Sequence, residues 1–550
     1  MLIKGLGASS GAAVAEIYRI RKPDLSVQRQ EGRDPKTEKE RYARAKEQAL
    51  SEIDRLYEKA AETDSASAEI FEFHKAMLED PDFCDGVEDA IGRGLNAEYA
   101  VKASADTIID LLSGLDNEVM RSRAADVRDV SDRLIRILKG VSDSDAVPDG
   151  AFIVLAEDLL PSQTVKLDRN RVAGFVTKRG SVTAHAVILA RTMGIPCIVG
   201  LGDGFDRLPA EGELAIDGGT GEVLFDFSDG ERTEFLRRAE SFRQQKKGLE
   251  KYRDAEAVTP DGRRVLVCAN IGGVADAETA AASGADGVGL FRSEFLYLEN
   301  SDFPDEELQY QAYKTVLQKL APKPVVIRTL DLGSDKQAPY FHIPDEENPA
   351  MGYRAIRICL KEPDIFRTQL RALLRASVYG NLHVMFPMIT GIGQVREIGE
   401  RIRRAKEELD AEQLPYSKDV KFGIMVETPA AAVMSDDLAK EVDFFSIGTN
   451  DLTQYTMAAD RTNAKVGDIF DSADPAVLRM IKMTAENAHK NGIWVGICGE
   501  SAANTALADF YMSIGIDELS VSPASVPAVK KAVLESRPCA GEQMEGTCKK

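Results

Sequence analysis

The chain has 550 residues, of which 44% are hydrophobic and 29% are charged, and its formal net charge is −21. This length and composition predict an ordinary soluble protein with several domains. The negative charge argues against a nucleic-acid binder, which would present a basic face, and it favours a protein partner with a basic surface.

The cysteines and the apolar runs indicate the compartment. Seven cysteines are scattered along the chain without a C-x-x-C pair, so we expect a reducing, cytoplasmic setting with neither disulfides nor a zinc cage. No apolar run reaches membrane-spanning length, and the first residues lack the continuous apolar segment of a signal peptide. The sequence also lacks a G-x-x-x-x-G-K-[ST] loop, so a Walker-type ATP site is not expected.

The first half of the chain alternates between strand and helix patterns. Residues 1 to about 20 read as a strand with tight turns, and strand character returns at 151–155. Between them the apolar spacing is helical, beginning with the repeat from Tyr42 to Leu56 and continuing near 67–80, 97–114 and 121–139. We therefore predict an inserted α-helical domain over 26–142 within an α/β domain formed by 1–25 and 143–228.

His185 is the most informative residue of that α/β domain. It follows the small-residue loop Gly180-Ser181-Val182-Thr183-Ala184 and opens a short helical pattern that Gly194 would end. A helix start disfavours an imidazolium but favours an anion, so a neutral histidine that receives a phosphoryl group suits this position. A capped structural histidine is the alternative interpretation.

The second half predicts a (β/α)8 barrel. A charged helical stretch, assigned to a linker helix over 229–257, precedes a domain over 258–537 in which short apolar strands alternate with amphipathic helices. The tail 538–550 has no periodicity and is expected to be flexible. The eight predicted strands are Val265–Ile271, Gly287–Phe291, Val325–Leu330, His383–Pro387, Phe422–Val426, Phe444–Ile447, Trp494–Ile497 and Glu518–Val521.

Charged residues follow the predicted barrel strands, where a (β/α)8 barrel has its active face. Five cations suit a small, highly charged anion: Arg292, Arg328, Lys336, Arg354 and Arg461. Glu427 and Asp451 offer hard oxygen ligands for Mg2+, and Cys498 could donate a proton. Each residue alone is more commonly a surface charge, an ion pair or a small core residue, but their arrival at successive strand ends favours a site.

With these residues in place, the sequence closely resembles the Enzyme I family of the phosphoenolpyruvate-dependent sugar phosphotransferase system, within the wider group of phosphoenolpyruvate-utilising enzymes. The resemblance covers roughly residues 3 to 535. It is carried most specifically by the stretch from Asp443 through Arg461, and also by Gly289–Leu296, Gly496–Glu500 and, in the helical insertion, Arg123–Asp129.

The resemblance implies a phosphoenolpyruvate-protein phosphotransferase. Phosphoenolpyruvate and Mg2+ would bind at the barrel mouth, and His185 would take the phosphoryl group on a ring nitrogen (Nε2 in the family). Cys498 would protonate the enolpyruvate to give pyruvate, and the phosphocarrier protein HPr, docked on the helical insertion, would receive the phosphoryl group. The enzyme would act as a homodimer associated through its barrels. The implied substrate ligands are Arg292, Arg328, Lys336, Arg354, Asn450 and Arg461, and the implied metal ligands are Glu427 and Asp451.

The loop before the histidine departs from the family pattern. Ser181 stands where a second glycine is usual, and alanines 184 and 186 replace the usual serine and hydroxyl residue on either side of His185. Ser334 replaces another usual glycine, whereas Thr183 is kept. These differences put the rate of transfer and the choice of acceptor in question more than the reaction.

Three alternatives remain at this stage. A pyruvate phosphate dikinase or phosphoenolpyruvate synthase shares the histidine domain and the barrel, but no segment long enough for an ATP-grasp domain is expected before Ala151. A nitrogen-branch paralogue usually carries an additional sensory domain, which we also do not expect. A regulatory or scaffold protein would explain the altered loop, although the retained strand-end residues argue against it.

Overall fold

The computed structural model divides the chain into two units, Met1–Lys246 and Lys247–Lys550. No helix among the described residues is long and apolar enough to cross a membrane. The structure describes residues 1–20, 25–61, 65–113, 118–141, 148–159, 161–164, 167–180, 185–298, 300, 302–333, 338, 340–341, 343, 346–461, 463, 466–467 and 469–537.

A mixed eight-stranded sheet organises the first unit. Its strands are ordered β1-β8-β7-β3-β4-β5-β6-β2. The consecutive pairs from β3 to β6 are parallel, whereas β1, β2, β7 and β8 pair antiparallel to their neighbours. The strands are β1 (Leu2–Lys4), β2 (Leu6–Ser9), β3 (Ala12–Arg19), β4 (Phe152–Ala156), β5 (Val172–Thr177), β6 (Cys197–Val199), β7 (Glu213–Asp217) and β8 (Glu222–Leu224).

A group of helices lies between β3 and β4 in the chain. They bury a common apolar core that includes Ile53, Phe71, Phe83 and Val130. The helices are α1 (Pro35–Ala61), α2 (Ser65–Glu79), α3 (Pro81–Gly92), α4 (Ala97–Ser113) and α5 (Glu118–Lys139). The sequence prediction of an α/β sheet interrupted by a helical insertion is confirmed, although it had no separate α3.

The helix that begins with His185 packs on this sheet. After α6 (Pro161–Thr164), α7 spans His185–Met193. Its Val187 and Ala190 are buried together with Phe175 of β5. Gly194 adopts a φ of 66° directly after α7, a left-handed conformation that glycine adopts without steric cost and that commonly ends helices. A longer helix, α8 (Asp229–Glu250), follows the sheet.

The second unit is built on a closed barrel of eight parallel strands, as the sequence predicted, with ends that differ from the prediction by at most two residues. The strands are β9 (Leu266–Ile271), β10 (Val288–Arg292), β11 (Pro324–Arg328), β12 (Asn381–Phe386), β13 (Lys421–Val426), β14 (Phe444–Ile447), β15 (Trp494–Ile497) and β16 (Glu518–Val521). The helices are α9 (Asp276–Ala282), α10 (Phe295–Leu298), α11 (Glu306–Leu320), α12 (Ile356–Lys361), α13 (Pro363–Ala376), α14 (Ile392–Ala411), α15 (Pro429–Val433), α16 (Ser435–Leu438), α17 (Thr449–Met457), α18 (Pro475–Lys490), α19 (Ala508–Ser513) and α20 (Val526–Leu534).

Aromatic rings fill the amino-terminal end of the barrel interior. Phe444 and Trp494, each the first residue of its strand, stack with ring centroids 4.5 Å apart and an interplanar angle of 2°. The imidazole of His383 packs against both rings, with centroids 5.7 and 5.9 Å away. Burial in this aromatic environment, followed by the positive charge of Lys421, lowers the pKa of His383 to about 4.

We expect His383 to make the barrel sensitive to acid. The folded protein holds this imidazole neutral, whereas the unfolded chain protonates it at about pH 6.5. The contribution of His383 to the free energy of unfolding is therefore complete above about pH 6.5 and is lost as pH falls towards about 4. The loss amounts to at most about 3 kcal/mol of unfolding free energy. Urea unfolding at about pH 7 and about pH 5 should therefore show a smaller acid loss in His383→Gln than in the wild type. An equal loss in both proteins would contradict this account.

Candidate active site

The charged residues singled out in the sequence lie at the carboxyl-terminal ends of the barrel strands. Because parallel strands present these ends on one face, the residues share a single mouth. Arg292 and Arg328 are the last residues of β10 and β11, and Glu427 directly follows β13. Asn450 and Asp451 lie in the first turn of α17 after β14, and Cys498 directly follows β15.

Two arginines of the mouth are held by one buried carboxylate. Asp331 accepts from Arg328 Nη1 at 2.9 Å through Oδ2 and from Arg354 Nη2 at 3.0 Å through Oδ1. Arg328 Nη2 also donates to Oε1 of Glu294. Burial lowers the pKa of Arg328, but the charges of Asp331 and Glu294 outweigh it and raise the pKa above its ordinary value. Both guanidinium groups are thus charged and fixed before any ligand arrives.

The arginines keep hydrogen-bond donors for a further anion. The Nε atoms of Arg328 and Arg354 are buried and have no partner among the described residues. Arg292 is exposed at the mouth, and the surrounding protein atoms, followed by the charge of Arg328 and a smaller effect of Arg461, lower its pKa. A cluster of arginines at one mouth, in which the charge of Arg328 lowers the pKa of Arg292, is a site where a multiply charged anion binds favourably.

Glu427 and Asp451 form the acidic part of the mouth. Glu427 is buried, and its Oε1 accepts from the backbone N–H of Met388 at 2.6 Å. Burial, followed by the charges of Asp451 and Asp331, raises the pKa of Glu427 well above its ordinary value. Asp451 lies only 4.0 Å from Arg354 Nη2 through Oδ2.

The pair Glu427 and Asp451 suits Mg2+, an ion that also takes ligands from substrate and water, better than it suits a metal ion bound by protein ligands alone. Among the described residues, no three His, Cys, Asp or Glu side chains converge as a metal cluster. Mg2+ is characteristically bound by one or two carboxylates together with substrate oxygens and water, so two carboxylates beside an anion site match its ligand preference. A divalent cation would also relieve the repulsion that raises the pKa of Glu427.

Cys498 lies at the base of the mouth. Its side chain is 3% exposed and packs with Leu290, Val326 and Met425 in the barrel interior. Burial raises the pKa of this thiol to about 12, so it carries its proton at neutral pH and is suited to donate it. The neighbouring loop is fixed because Asn450 Oδ1 accepts from the backbone N–H of Glu500 at 3.0 Å.

Gly499 brings the Cys498 loop against α17. A Cβ added at this position would lie 2.0 Å from Thr449 Oγ1 and 2.7 Å from the backbone nitrogen of the same residue. We expect Gly499→Ala to lower the unfolding free energy by about 1–3 kcal/mol and to displace Cys498 and Asn450 together. Urea unfolding would measure the first effect, and the affinity of the mouth for a small, multiply charged anion would measure the second. Gly399→Ala in α14, where a Cβ meets nothing within 4 Å, is the control; equal behaviour of the two variants would refute the prediction.

Several predicted residues fall outside the structural description. Lys336 and Ser334 lie outside the described residues, as do residues 181–184 of the loop before the histidine. For His185 the structure describes its place at the start of α7 but not its side chain. Arg461 is described and is exposed near Arg292.

The structure adds two residues to which the sequence assigned no role, Asp331 and Glu294. Both are buried acids that hold arginines of the mouth. The spacing of Asp331 three residues after Arg328 was the available signal. Its second partner, Arg354, is 23 residues distant along the chain and gave no local signal.

Comparison with known proteins places the chain among enzymes that use phosphoenolpyruvate. Three family models match it: the N-terminal domain of PEP-utilising enzymes over residues 4–123, the mobile domain over 148–221 and the PEP-binding domain over 246–537. These ranges account for both units of the structure.

Curated relatives share most of their length with this chain. The phosphoenolpyruvate-protein phosphotransferase of Enterococcus faecalis is 43% identical over 96% of this chain and 92% of its own. The protein of the same name from Lactococcus lactis subsp. lactis is 44% identical, with the same coverage of both chains. The solution structure of an Enzyme I protein (nEIt) shares 30% identity and covers 44% of this chain and 99% of its own, with a TM-score of 0.40.

Proposed function

The chain belongs to the PEP-utilising enzymes, and from that membership we propose that it is a phosphoenolpyruvate-protein phosphotransferase. It transfers the phosphoryl group of phosphoenolpyruvate to its own His185 and then to a histidine of the phosphocarrier protein HPr, releasing pyruvate. This is the first step of sugar uptake by the phosphotransferase system. The observation that carries the proposal is the barrel mouth, where arginines fixed by Asp331 meet the acidic pair Glu427 and Asp451.

The mouth suits phosphoenolpyruvate because this substrate carries a phosphate and a carboxylate close together. Guanidinium groups bind both kinds of oxygen through paired hydrogen bonds. The free Nε donors of Arg328 and Arg354 support such contacts, and the proposed ligands also include Arg292, Arg461, Asn450 and Lys336. Since Asp331 and Glu294 fix the arginines in advance, little reorganisation accompanies the reaction.

Glu427 and Asp451 would hold Mg2+. When bound, this ion supplies positive charge that stabilises the phosphoryl group during transfer. Their place beside the arginines supports binding of the metal together with the substrate rather than in a separate cage.

Phosphoryl transfer requires a nucleophile and an acid. A neutral ring nitrogen of His185 attacks phosphorus, and the backbone N–H groups at the start of α7 favour the resulting phosphorylated imidazole. As the bond from phosphorus to the enol oxygen breaks, Cys498 delivers its proton to the terminal carbon of the enolpyruvate, giving pyruvate. The raised pKa of Cys498 keeps that proton in place until the enolate forms.

The second transfer requires a partner for the helical insertion. We assign residues 26–142 to HPr binding, 1–25 and 143–228 to the phosphohistidine domain, 229–257 to the linker, and 258–537 to phosphoenolpyruvate binding and dimerisation. The net charge of −21 supports attraction of a phosphocarrier with a basic face. A single histidine that serves two sites implies motion of its domain. The proposal includes a homodimer and a cytoplasmic location.

The unusual residues of the loop before His185 support one alternative, in which the phosphoryl group passes slowly to HPr or to another carrier. In the sequence around His185, Ser181, Ala184 and Ala186 differ from the residues usual in the family at these positions. A nitrogen-branch or regulatory paralogue of Enzyme I would phosphorylate its histidine from phosphoenolpyruvate but pass the group slowly to HPr, or to another carrier.

Pyruvate formation tests the proposed function. The protein is mixed with phosphoenolpyruvate, Mg2+ and excess HPr, and both pyruvate and phosphorylated HPr are measured over time. We expect the two products in equal amounts and neither product without Mg2+. One pyruvate per chain followed by arrest would favour the alternative acceptor, and no pyruvate at all would overturn the proposed function.

A further inference from the structure

Gln369 is a fully enclosed amide on the apolar face of α13. Its side chain is 0% exposed, and Phe366 and Leu373, about one turn away on either side, are buried apolar residues. Burying an amide is costly unless its donors and its acceptor find partners. The partners of this amide therefore indicate why a polar residue occupies the position.

The amide joins the two strand ends that carry arginines of the barrel mouth. Its Oε1 accepts from the backbone N–H of Leu330 at 3.0 Å, one residue before Asp331. Its Nε2 donates to Oγ of Ser293 at 3.1 Å, one residue after Arg292. Gln369 is thus bonded to both segments, in each case next to a residue that forms the mouth.

Ser293 takes the place of a further rung between β10 and β11. These strands pair in parallel as far as Arg292 and Arg328, where their register ends. Beyond that pair, Ser293 Oγ donates to the carbonyl oxygen of Arg328 at 2.7 Å. This hydroxyl accepts from Gln369 and donates its single proton to the carbonyl oxygen, so it is held in one orientation. The spacing between the two strand ends therefore depends on side chains.

The residues next to these hydrogen bonds are the acids that hold the arginines. Glu294 directly follows Ser293, and Asp331 directly follows Leu330. Both carboxylates accept from the guanidinium group of Arg328. Because each carboxylate moves with its own backbone, a shift of either segment displaces that guanidinium group.

A second series of buried groups fixes the amide from the side away from the mouth. Gln369 Nε2 also donates to the hydroxyl of Tyr313 at 3.0 Å, and Tyr313 donates to Oε1 of Gln309 at 3.1 Å. Gln309 Nε2 donates in turn to the carbonyl oxygen of Pro304 at 2.9 Å. The side chains in this series are at most 1% exposed. Since each group donates in one direction, the amide presents a single orientation to the mouth.

We propose that Gln369 is a positioning residue for phosphoenolpyruvate, which sets the distance between Arg292 at the end of β10 and the arginines held by Asp331. This role rests on the proposed function, in which these arginines bind the substrate. Because the amide is enclosed, it acts only through Ser293 and Leu330. A displacement of about 1 Å in a group that positions substrate costs about 100-fold in rate, so loss of the amide has a measurable effect.

Two variants and a matched control separate this role from a purely structural one. Gln369→Met preserves the volume of the side chain but removes the amide, and Ser293→Ala removes the hydroxyl that links it to the end of β11. Ser377→Ala is the control. Ser377 is also buried and precedes β12, at the opposite end of the barrel from the mouth. Its hydroxyl likewise accepts from a backbone N–H, that of Ser417 at 2.7 Å, and donates to a carbonyl oxygen, that of Leu374 at 2.5 Å.

Steady-state kinetics with Mg2+ and excess HPr measure kcat/KM for phosphoenolpyruvate, and urea unfolding compares the stability of the variants. We expect kcat/KM to fall by at least about 10-fold in Gln369→Met and in Ser293→Ala, with most of the loss in KM. Ser377→Ala should keep the wild-type value although its urea midpoint also falls. Unchanged kcat/KM in both test variants, or an equal loss in the control, would show that these groups only stabilise the fold and would overturn the proposal. Ser293→Ala decides the matter if Gln369→Met does not fold.

Crystal structures without substrate test the positioning independently of the reaction. In Gln369→Met, the backbone of residues 329–331 should move by at least about 0.5 Å relative to Arg292, and Arg328 should move with it. Arginines that stay in place would overturn the positioning role even if turnover were slow. A wild type that forms no pyruvate would instead overturn the proposed function, whereas displaced arginines in the variant would still show that Gln369 positions them.

Discussion

His185→Ala is expected to abolish phosphoryl transfer to HPr while leaving phosphoenolpyruvate binding intact. The histidine opens α7 in the first unit, whereas the residues proposed to bind the substrate belong to the second. Loss of a catalytic nucleophile lowers turnover by about 10⁶-fold in well-studied enzymes, and here the variant also lacks any atom to carry the group. Steady-state pyruvate release measures the loss, and isothermal titration with phosphoenolpyruvate and Mg2+ measures binding.

The matched control is His489→Ala in α18. This imidazole is 38% exposed and interacts with Asp517 at 3.0 Å, away from the barrel mouth. The His489→Ala variant should release pyruvate at the wild-type rate. Turnover by His185→Ala at the wild-type rate would contradict the assignment of the phosphoryl carrier, and loss of binding along with turnover would contradict the division of roles between the two units.

Asp451→Asn is expected to cause the second largest loss. The substitution removes one of two carboxylates proposed to hold Mg2+ but preserves the size of the side chain. Stabilisation of a transferring phosphoryl group by a metal ion is worth several kcal/mol, so the rate of His185 phosphorylation should fall by about 10³-fold or more. Because phosphoenolpyruvate is also held by the arginines, its affinity without metal should change little.

Titration with Mn2+, a spectroscopic substitute for Mg2+, measures metal binding by Asp451→Asn independently of its activity. Asp451→Asn should bind Mn2+ more weakly than the wild type, both with and without phosphoenolpyruvate. Asp437→Asn, at a half-exposed residue of α16 that pairs with Lys440 at 2.7 Å, is the control and should bind Mn2+ normally. Unchanged Mn2+ affinity in Asp451→Asn would remove this residue from the metal site.

The barrel was predictable because its strands are short, apolar and separated by amphipathic helices. β14, β15 and β16 begin and end at the predicted residues, and β14 and β16 are bounded directly by charged or turn residues. β12 begins at Asn381, two residues before the predicted start, because pairing with Pro324 of β11 extends the ladder. Such pairing depends on a distant strand and leaves no local pattern.

The unpredicted helix α3 did carry a local signal. Asp80 caps it by accepting from the backbone N–H of Phe83 at 3.0 Å, and Pro81 occupies its first position. An acidic cap followed by proline is a typical helix start. The predicted helical stretch near 67–80 ended where this cap begins, and no helix was predicted between it and the stretch near 97–114.

The site was predictable as a set of strand ends, but not as a network. The order of strands brings Arg292, Arg328 and Glu427 to one face, which the sequence indicated. That Asp331 bridges Arg328 and Arg354, or that the Gln369 amide reaches Ser293, depends on the placement of side chains from distant segments. The amino-acid sequence contains these residues but does not show which of them are in contact.

Intact mass spectrometry after incubation with phosphoenolpyruvate and Mg2+ tests the central claim most directly. The wild type should gain one acid-labile phosphoryl group, located by fragmentation to His185, and His185→Ala should gain none. A wild type that stays unlabelled while folded and supplied with Mg2+, or a label that persists in His185→Ala, would contradict the account.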